Sequence, residues 1–156
     1  MTRKGAARQI DDPAARDFPP ETLATIHAAA MILPRPWSVA EFASLLSFPG
    51  TFVTGAAQAF ALGRVILDEA ELLTLATHPD YRRQGLARAA LSAFETAALA
   101  RGAATAFLEV AENNAPARAL YCAAGYTVTG RRPGYYRTTG SAPVDALLMA
   151  RLLSAE

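Results

Sequence analysis

Apolar residues recur at helical spacing in two short stretches near the start of the chain. The first stretch covers 23–30, follows a Pro-Pro pair and is expected to end before Pro34. The second begins at Ser38, which stands three residues before Glu41 at the spacing of a capping box, and continues as an apolar stripe over 42–46. The sequence therefore predicts two helices before the first strand.

After residue 50 the spacing of apolar residues becomes typical of strands, with two further helices between them. The predicted elements are, in chain order, strands over 51–54, 57–67 and 71–77, a helix over 84–101, a strand over 105–110, a helix from Asn114 to Gly125, and strands that begin at 126 and 146. A turn near Gly55 is expected to join the first two strands. The step from the third strand through the long helix to the fourth is long enough for a right-handed parallel crossover. We therefore expect an α/β fold with a mixed central sheet flanked by helices.

The length of 156 residues predicts a single domain over 1–156, with about 1–15 as a loose N-terminal segment. A net charge of +1 favours neither nucleic acid nor a membrane surface, and no apolar run approaches the roughly 18 residues that span a bilayer. A lone cysteine, Cys122, excludes intramolecular disulfides and indicates a cytoplasmic protein. Since the two histidines are far apart in sequence, no metal site is predicted.

A basic turn that contains a glycine joins the third predicted strand to the long helix. Its residues, Arg82-Arg83-Gln84-Gly85-Leu86-Ala87, stand where that helix begins. Helix N-termini expose unpaired amide groups that suit a pyrophosphate, and Gly85 lets the backbone approach phosphate oxygens closely. The segment has neither the three glycines of a dinucleotide fingerprint nor the Gly-Lys-Ser/Thr of a P-loop. From these residues alone, an anion site and a plain basic surface turn both stay open.

Two residues suited to proton transfer lie later in the chain. Glu109 interrupts an otherwise apolar strand, where an unpaired carboxylate is costly. Tyr121 lies seven residues beyond Asn114, so both share one face of a helix. Aminolysis of a thioester needs a base for the attacking ammonium and an acid for the departing thiolate, and a carboxylate and a phenol suit these roles. A solvent-facing glutamate at the sheet edge and a core tyrosine remain the alternatives on the residues alone.

The segment R-R-Q-G-L-A, with a strand before it and a helix after it, resembles the Gln/Arg-x-x-Gly-x-Gly/Ala motif of the GCN5-related N-acetyltransferases. Similar stretches run from about Pro36 to Met149 and include H-P-D-Y-R-R-Q-G-L-A-R, L-E-V-A-E-N-N-A and A-L-Y-x-x-x-G-Y. The resemblance implies a fold with a splayed pair of parallel strands, and acetyl-CoA as cosubstrate. It also implies that amides of the basic turn hold the CoA pyrophosphate, while the end of the preceding strand pairs with the pantetheine arm and polarises the acetyl carbonyl. The cofactor-binding residues that it implies are Leu75, Ala76, Thr77, Arg82, Arg83, Gln84, Gly85, Leu86, Ala87, Arg88, Asn114 and Tyr121.

Within that family the chain resembles enzymes that acetylate the N-terminal alanine of a ribosomal protein. The resemblance implies Glu109 as general base and Tyr121 as general acid, with direct attack in a ternary complex. It implies Trp37, Tyr135 and Tyr136 as substrate contacts, with the two tyrosines on a loop that lines the entrance for the peptide. The acceptor would thus be the N-terminus of a protein, specifically of a ribosomal protein.

Some features depart from the family or stay open. The first strand of the fold is poorly marked before Ala15, and Arg137 and the stretch 140–143 differ from the family pattern on the substrate side. Arg131, Arg132 and Arg137 fit either a solvated basic cluster or a contact with the ribosomal protein. Two alternative functions also stay open. One is an acetyltransferase of the same family that acts on a small amine or a lysine, and the other is a non-catalytic CoA-binding module.

Overall fold

A computed structural model of the protein describes residues 18–31 and 35–154. The order of elements agrees with the prediction from the sequence: two helices, three strands, a helix, a strand, a helix and two strands. In chain order these are α1 (Pro20–Ala30), α2 (Val39–Ser47), β1 (Thr51–Ala56), β2 (Ala59–Ile66), β3 (Glu69–Thr77), α3 (Leu86–Ala100), β4 (Thr105–Ala111), α4 (Ala115–Ala123), β5 (Thr127–Tyr136) and β6 (Val144–Leu152), with a short 3-10 helix (Pro79–Tyr81) before α3. The predicted loose segment 1–15 and the family's first strand lie outside the described residues.

Local interactions at the helix starts explain why the helices begin where they do. The Ser38 side chain accepts a hydrogen bond from the Glu41 amide, and the Glu41 carboxylate accepts one from the Ser38 amide, which completes the predicted capping box of α2. The Asn114 side chain caps α4 by accepting a hydrogen bond from the amide of Ala117 at 3.2 Å. These two predictions are therefore confirmed.

The predicted position of the turn between β1 and β2, near Gly55, is wrong. The turn lies at residues 57–58, and Gly55 lies inside β1 with a φ of +118°. A Cβ atom at Gly55 would come within 2.3 Å of the carbonyl oxygen of Ala59 on the neighbouring strand. The glycine is thus required by a close backbone approach within the hairpin, which from the sequence has the same signature as a turn.

The six strands form one mixed sheet in the order β1-β2-β3-β4-β6-β5. All neighbours are antiparallel except β3 and β4, whose parallel pairing runs only from Glu69↔Thr105 to Leu72↔Leu108. Beyond that point both strands continue without pairing to each other, β3 to Thr77 and β4 to Ala111. The expected splayed parallel pair is therefore present.

An irregularity in β3 lies next to the splay. Leu62 of β2 pairs with Thr74 and the adjacent Gly63 pairs with Leu72, so Leu73 is an extra residue on β3. Leu72 packs in the core under α3 and α4, whereas Leu73 packs on the α1–α2 side and Thr74 contacts His27 of α1. The bulge therefore directs two successive side chains of β3 to the same face of the sheet.

Each face of the sheet has its own apolar core. The helices α3 and α4 cover one face through Leu91, Phe94 and Tyr121, while α1 and α2 cover the other through Leu23 and Phe42. The splay between β3 and β4 therefore opens a passage between the two faces.

Candidate active site

A cavity of about 450 Å³ lies where β3 and β4 separate. Its walls come from β3 and β4, from one face of α4, from β5, and from the segment that follows α1. The residues predicted from the sequence that line it are Trp37, Leu75, Glu109, Asn114, Tyr121, Tyr135 and Tyr136. Residues from five separate parts of the chain thus converge on one site.

Glu109 is the first residue of β4 beyond its last pair with β3. Its side chain is 26% exposed, and its Oε1 lies 3.1 Å from Nε of Arg132 on β5. The Arg132 guanidinium carbon also lies 5.4 Å from the ring centre of Tyr135. Glu109 is therefore an ion-paired carboxylate in the wall of the cavity, and the alternative of a solvent-facing glutamate at the sheet edge is wrong.

Tyr121 reaches the same cavity from α4 and is 7% exposed. Asn114, Ala117 and Tyr121 all line the cavity, so the predicted common helical face points to the splay. Burial, with a smaller contribution from Tyr136, raises the pKa of Tyr121. The phenol therefore keeps its proton at neutral pH and can donate it or share it in a hydrogen bond.

Tyr135 and Tyr136 are the last two residues of β5, so their predicted place on a loop is wrong. Their rings contact edge to face, with centres 5.2 Å apart. Burial raises the pKa of Tyr136 to about 12, with a further contribution from the charge of Glu109. Tyr136 is therefore a neutral phenol that is electrostatically coupled to both Glu109 and Tyr121.

The turn of chain before this tyrosine pair is held by Asp145 of β6. Its Oδ1 accepts a hydrogen bond from the Gly134 amide at 2.8 Å, and its Oδ2 pairs with Arg131 at 2.8 Å. These contacts hold the pKa of Asp145 below its usual range. Arg131 also pairs with Glu112 at 2.7 Å, and Arg132 pairs with Glu109. Both arginines therefore form ion pairs with carboxylates of the chain itself.

Trp37 lies on the α1–α2 side of the cavity and packs against His27, with ring centres 5.0 Å apart and ring planes tilted by 30°. His27 is fully buried and contacts Thr74, which also lines the cavity. Sequence reasoning missed His27 and Thr74, and it did not pair Arg132 with Glu109. For His27 and Thr74 no local signal exists, since the two residues are 47 positions apart and meet only through the packing of α1 on β3.

The basic turn lies apart from the cavity, and none of residues 82–88 lines it. Arg83 and Gly85 adopt positive φ angles of 65° and 74°, which turn the chain into α3. The first helical amide to find a backbone partner is that of Ala89, which bonds to the carbonyl of Gly85 at 3.0 Å. Within 18–31 and 35–154, the amides of 86–88 have no hydrogen-bond partner, and α3 lacks the side-chain cap that α2 and α4 have.

The other predicted cofactor residues occupy different surroundings. Leu75 lines the cavity, whereas Ala76 is buried in the core on the α1–α2 side and Thr77 ends β3 without lining the cavity. The side chains of Arg82, Arg83 and Arg88 are exposed around the start of α3. The described residues hold no cluster of three or more His, Cys, Asp or Glu side chains that could bind a metal, and none of their helices is long and apolar enough to span a membrane.

The sequence profile of the acetyltransferase (GNAT) family matches residues 14–126. The chain belongs to this family. It is 44% identical over 124 residues to the [ribosomal protein bS18]-alanine N-acetyltransferase of Escherichia coli K12, which covers 76% of this chain and 82% of the relative. It is 33% identical over 137 residues to the N-alpha-acetyltransferase RimI of Mycobacterium tuberculosis, with coverage of 82% and 83%.

The solved structures agree with the family assignment. The crystal structure of the ribosomal-protein-S18-alanine N-acetyltransferase from E. coli superposes with a TM-score of 0.77 at 37% identity, covering 88% of this chain and 89% of that one. The GNAT fold and the N-acetyltransferase class predicted from the sequence are therefore confirmed.

Proposed function

We propose that this chain transfers the acetyl group of acetyl-CoA to the N-terminal α-amino group of a protein, with the N-terminal alanine of ribosomal protein bS18 as the acceptor. The observation that carries the proposal is the meeting of Glu109 and Tyr121 in one cavity, at the point where β3 and β4 separate. The acceptor is supported by the E. coli relative, which is named for this ribosomal protein and its alanine.

The start of α3 fits the pyrophosphate of CoA. The amides of 86–88 are unpaired donors within the described residues and carry the positive end of a helix dipole, and Arg82, Arg83 and Arg88 add charge around them. From this turn, β3 runs back to Leu75 in the cavity, and its edge facing β4 is unpaired beyond Leu72. That open edge suits the amide groups of the pantetheine arm.

Acetyl-CoA supplies the acetyl group as a thioester, and the side chains of the cavity manage the protons. An α-ammonium has a pKa near 8, so it must lose a proton before it attacks. Glu109 accepts this proton, directly or through one water, while Arg132 holds its Oε1 and leaves Oε2 for the amine. Tyr121 donates its hydroxyl proton to the departing sulfur. Overall the ammonium loses two protons and the sulfur gains one, so one proton leaves to solvent.

The acceptor enters from the side opposite α3. Trp37 lines that side of the cavity, and Tyr135 and Tyr136 flank it from β5. The two amphipathic rings present apolar faces to a peptide, and their hydroxyls, which have no hydrogen-bond partner within 18–31 and 35–154, can bond its backbone. An opening of this kind suits an extended peptide N-terminus.

The test is an acetylation assay across acceptors with purified full-length chain. Peptides that begin Ala-Arg-Tyr, Ser or Met, a peptide with a blocked N-terminus and an internal lysine, and spermidine are each incubated with acetyl-CoA. We expect the highest kcat/KM for the Ala-Arg-Tyr peptide, with the acetyl group on its α-nitrogen by mass spectrometry. Acetylation of spermidine or of the internal lysine, without acetylation of any free N-terminus, would overturn the proposal.

A further inference from the structure

The neighbours of His27 determine which of its ring nitrogens carries the proton. The backbone amide of Trp37 donates a hydrogen bond to Nδ1 at 2.9 Å, so Nδ1 must be unprotonated. Because burial lowers the pKa of His27 to about 4, the ring is neutral near pH 7 and its one proton is on Nε2. Nε2 therefore donates to Oγ1 of Thr74, 3.0 Å away.

This arrangement leaves the hydroxyl proton of Thr74 without an acceptor. One lone pair of Oγ1 is taken by His27, and across 18–31 and 35–154 the hydroxyl has no other hydrogen bond. Thr74 is 7% exposed, so bulk water is not a ready partner, and a buried hydroxyl donor that stays unpaired is costly. Since Thr74 lines the cavity, a ligand there is the available acceptor for its proton.

The position of Thr74 favours the acceptor as that ligand. The bulge at Leu73 turns Thr74 to the α1–α2 face, where the same imidazole contacts both Thr74 and Trp37. The start of α3, which fits CoA, belongs to the opposite face of the sheet. The proton of Thr74 is thus presented on the side from which the acceptor enters.

We propose that Thr74 donates a hydrogen bond to the carbonyl oxygen of the acceptor's first residue, and that His27 is the positioning residue that holds Thr74 as a donor. The inference rests on the proposed function, because it requires an acceptor with a carbonyl next to its amine-bearing carbon. A peptide N-terminus has that carbonyl and a polyamine does not. Thr74 thereby selects peptide N-termini over simple amines.

Two acceptors distinguish the loss of this hydrogen bond from a general loss of activity. One is the Ala-Arg-Tyr peptide, and the other is the same peptide with its first amide replaced by an (E)-alkene, which keeps the length and removes the carbonyl. We expect Thr74→Val to lower kcat/KM for the peptide about tenfold, chiefly through a higher KM for the peptide. For the alkene acceptor the same substitution should change kcat/KM by no more than about twofold. Comparing each acceptor between wild type and variant cancels the different basicities of the two amines.

Conservative variants test the positioning role. Thr74→Ser keeps the hydroxyl, and His27→Gln keeps one acceptor for Trp37 and one donor for Thr74, so both should retain the preference for the peptide over the alkene. His27→Leu should lose that preference as Thr74→Val does. If Thr74→Val or His27→Leu fails to fold by circular dichroism, the serine and glutamine variants decide, because loss of the preference in either would contradict the inference.

The outcomes distinguish a failure of the role of Thr74 from a failure of the proposed function. Equal losses of kcat/KM on both acceptors, or a raised KM for acetyl-CoA with an unchanged KM for the peptide, would overturn the role of Thr74 and leave the proposed function standing. A wild-type chain that acetylates spermidine but neither peptide acceptor would overturn the proposed function, and the role of Thr74 with it.

Discussion

Acid should destabilise this protein through His27, by an amount that follows from its surroundings. The ring is fully buried and packs against Trp37, and its Nδ1 accepts a hydrogen bond from the amide of that residue. Burial lowers the pKa of His27 from 6.5 to about 4, and the carboxylate of Glu41 offsets only part of that effect. Protonation of Nδ1 would place its N–H against the amide N–H of Trp37. Protonation is therefore unfavourable in the folded state.

The direction and the size of the effect follow from proton linkage. Between pH 6.5 and about 4 the unfolded chain binds a proton on this ring and the folded chain does not. The free energy of unfolding therefore falls as the pH falls through this window, by about 1.4 kcal/mol per pH unit and about 3 kcal/mol in all. The total free energy of unfolding of a domain of this size is about 5–15 kcal/mol, so the loss is large.

The matched variant is His27→Gln, whose amide can keep both hydrogen bonds and does not titrate. Urea unfolding of both proteins, followed by circular dichroism at pH 7.5, 6.5, 5.5 and 4.5, gives the difference in stability at each pH. We expect the free energy of unfolding of the variant, relative to that of the wild type, to rise by up to about 3 kcal/mol as the pH falls. Other carboxylates, among them Glu41, titrate in both proteins and cancel in the difference. Parallel pH dependence of the two proteins would refute the reasoning.

Three further predictions concern the active site and the core. Glu109→Gln should lower kcat for the peptide acceptor by about 10²–10⁴-fold while acetyl-CoA still raises Tm, and an unchanged kcat would show that another group is the base. Tyr121→Phe should slow thiol release, measured with a thiol reagent in single turnover, and full-speed release would exclude it as the acid. Gly63→Ala should cost about 1–3 kcal/mol in urea unfolding, because its Cβ would lie 2.4 Å from Cε2 of Phe94, and an undiminished stability would mean that the ring moves freely.

The sequence by itself was sufficient for the order of elements and for the helix starts. Helical spacing, the capping box at Ser38 and the cap at Asn114 depend on residues three or four positions apart, and such contacts form in the same way whatever packs around them. The motif around Gly85 was sufficient for the family for a similar reason, since it is a contiguous stretch with a strand before it and a helix after it.

Only the tertiary structure decided how the site is assembled. Arg131 and Arg132 are equivalent in the sequence, yet successive residues of a strand face opposite ways, so the register of β5 sends one to Asp145 and the other to Glu109. The bulge at Leu73 has no signature in the sequence, where leucines precede and follow Thr74, and it turns Thr74 towards His27. The protein's elements thus follow from local spacing, whereas its cavity follows from contacts between residues far apart in the chain, which no short-range pattern encodes.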